Sequence, residues 1–461
     1  MSKIFLTKEI LNEILSKQND SSLMEYYYQE CLNDNVVAYQ REGLIALLLI
    51  LLNYKWSNLF AQPKFSVEYL LNLKNIKDNN DINQYSELLS KTNLEIGLSI
   101  IDNDLINDKV LIEFKNMFAT YLLVTNQYLG CLAHCDNVIF RDPNDSTANF
   151  YKAILTELCL AVKSTPEYKF KLSIYQKELL NKCKIDEIQF DKRIVNQVYE
   201  DIKPKFLPPF HKFMSFTLID KECTKSEEYK KYWTDEDGFY LRNKLFLNPL
   251  NDFGNFAESL FETFEELPIS KEHRVLFDSI VEDYKYGRNK LFKYSVEDSI
   301  CDRDMISTYS FIYSIFDKIA YLFWNVYNLN IAADSVSFTQ NGLFDVKIKG
   351  TNKCFYEINN PAIIPLYYLM KKARTRNKIT NPLQVGTFEL NEYRNGLEHK
   401  TSSGLKKSEL ITNSKFLLGY VREAIIYSYL LLHGADVNTN SDDITCIGTT
   451  YMKSIFERSK K

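Results

Sequence analysis

Tyr393-Arg394-Asn395-Gly396-Leu397-Glu398-His399-Lys400 is the stretch on which the reading of this chain turns. It closes a segment, Thr387 to Lys400, whose spacing predicts a helix: Leu390, Tyr393 and Leu397 recur at i, i+3 and i+7 and put one stripe toward a core. Asn395 and His399, four apart, share another face, and Arg394 lies just beside it. The five-residue step from Arg394 to His399 turns about 140° on an ideal helix, a gap that a long arginine side chain can span. These residue types suit one chemistry. Cutting RNA without a metal needs a base for the 2′-hydroxyl, an acid for the leaving 5′-oxygen and a cation on the phosphorane oxygens. Histidine transfers protons near neutrality, arginine forks onto phosphate oxygens with a permanent charge, and Asn395 can orient either the imidazole or the phosphate. The same string also fits an exposed helix end, where His and Lys complement the helix dipole.

Arg394 and His399 with four residues between them resemble the Arg-x4–6-His motif of HEPN-superfamily ribonucleases. The surrounding layout fits that resemblance. Helical spacing runs from Ser270 to Ser295, from Met305 to Asn328, from Pro361 to about Arg376, through the motif segment, and from about Asn413 to His433. Ser335–Phe338 and Phe344–Ile348 alternate around Gln340-Asn341-Gly342, which predicts a small β-hairpin inserted among the helices. The resemblance implies an endoribonuclease with Arg394, Asn395 and His399 in the catalytic site, without metal or cofactor, and with two copies of the domain facing one cleft. A toxin or antiviral-defence effector is the biological role it implies. The chain departs from many HEPN toxins two residues after the histidine, where Thr401 stands in place of a modifiable tyrosine.

Charge supports a local RNA contact and excludes a global one. The 461-residue chain has a formal net charge of −4, so it lacks the overall basic footprint of a constitutive DNA-binder. Yet Lys371, Lys372, Arg374, Arg376 and Lys378 crowd just ahead of the motif segment and Lys400 closes it, a phosphate track in an acidic protein. As a bland alternative, such a run is a solvated helix end. The aromatic helix with Tyr309, Phe311, Tyr313, Phe316, Tyr321, Phe323, Trp324 and Tyr327 reads as core or as the interface of a homodimer joined through the C-terminal half.

Gly and Pro are scarce over the whole chain, at 14 and 11, and upstream strand-like alternation is almost absent. Ala119 and Ala153 stand 34 positions apart, with Asp142-Pro143-Asn144 between them where a tetratricopeptide (TPR) unit would close its turn. The N-terminal half thus resembles a degenerate TPR array, a scaffold for a protein or peptide partner. Cys131 and Cys135 share a helix face with His134 off it, and read as small thiols filling a helix seam rather than as a metal cluster. Pro204, Pro208 and Pro209 mark a boundary, and Leu247-Asn248-Pro249-Leu250 resembles an element that precedes the domain in one TPR–HEPN branch; read by itself it is a tight Asn-Pro turn.

The expectation is therefore an all-α chain: a TPR-like domain over 1–205, a connecting region over 206–270, a HEPN-like four- or five-helix bundle with a β-hairpin insertion over 271–440, and a tail over 441–461. Nine scattered cysteines form no legible disulfide framework, the N-terminus lacks a signal-peptide pattern, and the apolar run Gly43–Leu52 is about half a membrane span, so a cytoplasmic protein with no membrane partner is expected. Three rivals stand beside the ribonuclease reading. Asp334, Asp345 and Lys347 mimic the magnesium-binding hairpin of a restriction-like nuclease. Glu297, Asp298, Asp302 and Asp304 form an acidic connection that reads as solvated linker. A non-catalytic scaffold or nucleotide-binding module with an inactive HEPN-like dimerisation domain needs no chemistry from Arg394 or His399. Glu282 and Asp283 are candidates to orient His399 across the bundle.

Overall fold

The computed structural model describes residues 128–161, 165–188, 235–297, 300–358, 362–374 and 407–433, with single positions elsewhere that include Arg394 and Leu397. These residues are predominantly helical, as expected of an all-α chain, and among them pairing is reduced to isolated bridges such as Leu329 with Ile348. The chain divides into two compact units.

The first unit comprises Met1–Tyr151, Lys182–Val198 and Arg376–Glu389. Here α1 (Tyr128–Arg141) passes through Asp142-Pro143-Asn144-Asp145 into α2 (Ser146–Leu155). Asp145 caps α2, its carboxylate accepting the Ala148 N–H at 2.7 Å, and Asn149 Nδ2 donates to the Pro143 carbonyl at 3.0 Å. Cys131 and Cys135 are fully buried on α1, and burial pushes the Cys131 thiol well above its usual range, which suits a packing group. Ala119 is fully buried in this unit, and Ala153, which falls in the second, is fully buried too. The rest of the expected TPR-like repeat lies largely outside the described residues.

The second unit comprises Lys152–Asn181, Tyr199–Thr375 and Leu390–Lys461. It contains α3 (Pro166–Asn181), α4 (Glu236–Arg242), α5 (Lys271–Val296), α6 (Asp302–Val326), α7 (Ile363–Arg374) and α8 (Lys407–His433). Ser270 starts α5 by accepting the His273 N–H at 3.3 Å. Phe277, Ile280, Tyr284, Gly287, Leu291 and Tyr294 then repeat every three or four residues and face inward. On α6 the same period buries Met305, Tyr309, Ile312, Phe316, Ile319 and Phe323. α8 is different. From Ala424 to Leu432 every residue is buried, so this C-terminal stretch of the helix is enclosed on all sides, with α5, α6 and α7 packing against α8.

Two expectations change here. The hairpin at 335–348 is absent: Gln340–Phe344 instead forms a single wide helical turn, started by the Thr339 hydroxyl accepting the Gly342 N–H at 3.0 Å. Leu343 and Phe344 are adjacent and both fully buried, which a strand with alternating faces cannot arrange. Glycine is needed in the turn, because a Cβ at Gly342 would lie 2.2 Å from the Ser337 hydroxyl. The rings of α6 are, for the most part, core: Tyr309, Tyr313, Phe316 and Phe323 are buried within the unit, and Tyr321 is the α6 ring most open to solvent, at 42% exposure.

α5 and α6 approach closely at Gly287, where a Cβ would meet Ile312 Cγ1 at 2.5 Å. Gly287→Ala is expected to destabilise the unit by about 1–3 kcal/mol through overpacking, a loss only partly offset by the better helix propensity of alanine. Thermal unfolding checks this. Adding Ile312→Ala should cost less than the two single losses combined, since the smaller side chain makes room for the new methyl.

Candidate active site

Of the Arg-x4-His segment, Arg394 and Leu397 are described, and both are helical. Leu397 is 5% exposed and faces the core, as its place in the apolar stripe requires. Arg394, three residues earlier, is half-buried, and its guanidinium lies over the ring of Tyr313 on α6, 5.1 Å from the centroid. That arrangement is an attractive cation–ring contact. It brings a permanent positive charge to a surface-accessible position beside a buried ring. Asn395, His399, Lys400, Arg376 and Lys378 lie outside the described residues. Lys371, Lys372 and Arg374 fall in the last turn of α7.

The rival sites are dispersed by the fold. Asp334 sits in a short turn with its carboxylate against the Ser335 hydroxyl, and Asp345 accepts from Gln340 Nε2 at 2.9 Å, so the hairpin that would align them with Lys347 does not form. Asp302 and Asp304 belong to the first turn of α6, and Asp302 accepts the Tyr294 hydroxyl at 2.5 Å. Glu282 pairs with Lys285 at 3.1 Å and Asp283 with Lys318 at 2.5 Å, so both are engaged by lysines.

A second polar cluster escaped the sequence reading. The Leu245–Phe253 segment, taken as a connection, is clamped to the bundle by two buried arginines. Arg422 of α8 pairs with Asp252 (Nη2–Oδ2 2.6 Å, Nη1–Oδ1 3.1 Å) and donates to the carbonyls of Asn248, at 3.1 Å, and Phe246. Arg288 of α5 pairs in the same forked way with Glu262 (2.7 and 2.8 Å) and donates to the Leu245 carbonyl at 2.8 Å. Glu262 in turn accepts the Leu247 N–H at 2.5 Å. Burial acts against the charge of both arginines, but their carboxylate partners outweigh it and hold both above the usual arginine range. The opposite edge of the segment meets α3: the Tyr168 hydroxyl donates to Asn248 Oδ1 at 3.4 Å, and Lys171 pairs with Glu258 at 3.0 Å. A single arginine within the apolar run Leu417–Leu432, and another at a core position of α5, were the available signals.

No described helix is long and apolar enough to cross a membrane. In the comparisons with known proteins, the family model for the LA2681-like HEPN domain matches residues 270–434. No curated protein and no solved structure matches the chain. The matched span opens at the Ser270 cap of α5, closes just after His433 at the end of α8, and encloses Arg394. A HEPN match indicates a nuclease or nucleotide-related role, and HEPN domains typically dimerise. Within this all-α chain, residues 270–434 are thus an LA2681-like HEPN domain.

Proposed function

We propose that this protein is a metal-independent endoribonuclease that cleaves RNA by attack of the 2′-hydroxyl on the adjacent phosphate. The observation that carries the proposal is the placement of Arg394: helical, half-buried and held over Tyr313 within a HEPN domain. His399 moves the proton, Arg394 stabilises charge on the phosphorane oxygens, and Asn395 orients one of them. Lys371, Lys372, Arg374, Arg376, Lys378 and Lys400 form the track for the RNA backbone. One imidazole cannot be base and acid at the same instant, so a homodimer of C-terminal halves supplies the second group from its other copy. The N-terminal half, as a TPR-like array, reads a protein or peptide trigger, the arrangement of a toxin or antiviral effector in the cytoplasm.

The test is direct. Full-length protein incubated with single-stranded RNA in EDTA is expected to leave 2′,3′-cyclic phosphate ends, the product of 2′-hydroxyl attack. Cleavage that EDTA abolishes would assign the chemistry to a metal. No cleavage under any condition would leave the non-catalytic scaffold as the reading.

A further inference from the structure

Helix α5 turns opposite faces to the bundle and to water. Its inner residues, from Phe277 to Tyr294, are core. On the far side Val275, Ser279, Glu282, Tyr286 and Lys293 repeat at steps of three, four and seven, and all five are exposed. Val275 is 62% exposed, Tyr286 52% and Val296, at the end of the helix, 55%. Three large apolar side chains thus meet water along one side of a 26-residue helix. Phe311 of α6, partly exposed itself, widens the middle of this strip by meeting the Tyr286 ring edge to face at 5.5 Å. We infer that this outer face is where a second copy of the chain docks, with the two α5 helices antiparallel across a two-fold axis near Tyr286. The inference deepens the homodimer of the ribonuclease reading by naming its surface, and in that respect rests on it.

Charge selects the occupant. Asp278 and Glu282 precede Tyr286 on this face, and Lys290 and Lys293 follow it. A partner of one sign, a nucleic-acid backbone included, would meet its own charge over half the strip. A second α5 turned end for end meets the opposite charge along both halves, as an isologous contact requires. With the axis between Lys285 and Tyr286, Asp278 falls opposite Lys293 of the other copy, Glu282 opposite Asn289 and Lys290, and Val275 opposite Val296. Each apolar end then covers the other, and the two Tyr286 rings meet at the centre. Within one chain Asp278 and Lys293 have no ion-pair partner among the described residues, and Glu282 has only Lys285, at 3.1 Å.

Sedimentation velocity of the full-length chain at micromolar concentration, without RNA, tests the surface. Wild type is expected to be a dimer, and Tyr286→Glu to raise the dimer Kd about 10-fold or more. Asp278→Lys and Lys293→Glu, each alone, set like charges opposite one another twice per dimer and are expected to raise it about 10-fold. Mixed one to one, these two variants should recover near wild-type association, because opposite charges then face each other at both contacts. A contribution to folding alone would not be rescued by mixing. Monomeric wild type, single variants that associate like wild type, or a mixture that associates no better than its components overturns the surface. A dimer that none of these changes weakens overturns this face and leaves the ribonuclease reading standing. An intact dimer with the expected rescue but no RNA cleavage overturns the ribonuclease reading and leaves the face standing.

Discussion

Arg422→Ala is expected to be the most destabilising single substitution in the HEPN domain, by about 3–5 kcal/mol, because it leaves a buried carboxylate without its partner. Asp252 is 6% exposed, so water cannot replace the lost guanidinium, and the carbonyls of Phe246 and Asn248 lose a donor at the same time. Denaturant unfolding of the full chain, followed by aromatic fluorescence, measures the loss. A double substitution, Arg422→Met with Asp252→Leu, should be markedly less harmful than Arg422→Ala alone. Replacing both members of a buried pair with apolar groups removes the desolvation cost along with the attraction. A drop below about 1 kcal/mol for Arg422→Ala would mean that the Leu245–Phe253 segment is not held by this clamp.

The second large effect concerns the proposed chemistry. His399→Ala and Arg394→Ala are each expected to lower RNA cleavage by about 10²- to 10⁴-fold, the range spanned by losing a positioned proton-transfer group or a preorganised charge. Thermal midpoints should stay near wild type for His399→Ala if its role is chemical. Mixing inactive His399→Ala protein with wild type should depress activity by more than dilution, since each mixed dimer would lack one of the two groups facing the cleft. A monomer that cleaves at full rate would remove the composite site while leaving the Arg394–His399 assignment standing. Wild-type cleavage by both alanine variants would move the activity to other residues altogether.

The helices were legible in the sequence because their burial is periodic. Phe277, Ile280, Tyr284, Gly287 and Leu291 line the inner face of α5 at the helical spacing that predicts a helix from Ser270 to Ser295. Leu397 in the motif segment is likewise buried where its stripe places it. The hairpin reading failed at Ser335–Ile348 because alternation was read locally, whereas Phe338, Leu343 and Phe344 all answer to one core. The rings of α6 posed a related problem. Their number left core and interface both open, and their spacing at 309, 313, 316 and 323 follows the helix repeat and places them in the core of their own unit.

What the sequence determined by itself was therefore the all-α architecture, the helical spacing of α5, α6 and α8, and the candidacy of Arg394 as a functional cation, since each rests on spacing along one helix. Only the tertiary structure decided which distant groups meet: Arg422 with Asp252 across 170 positions, Arg288 with Glu262 across 26, and Arg394 over Tyr313. The physical reason is that a buried arginine must be satisfied by whatever acceptors the fold brings within about 3 Å, and a charge in one segment carries no record of where its partner lies.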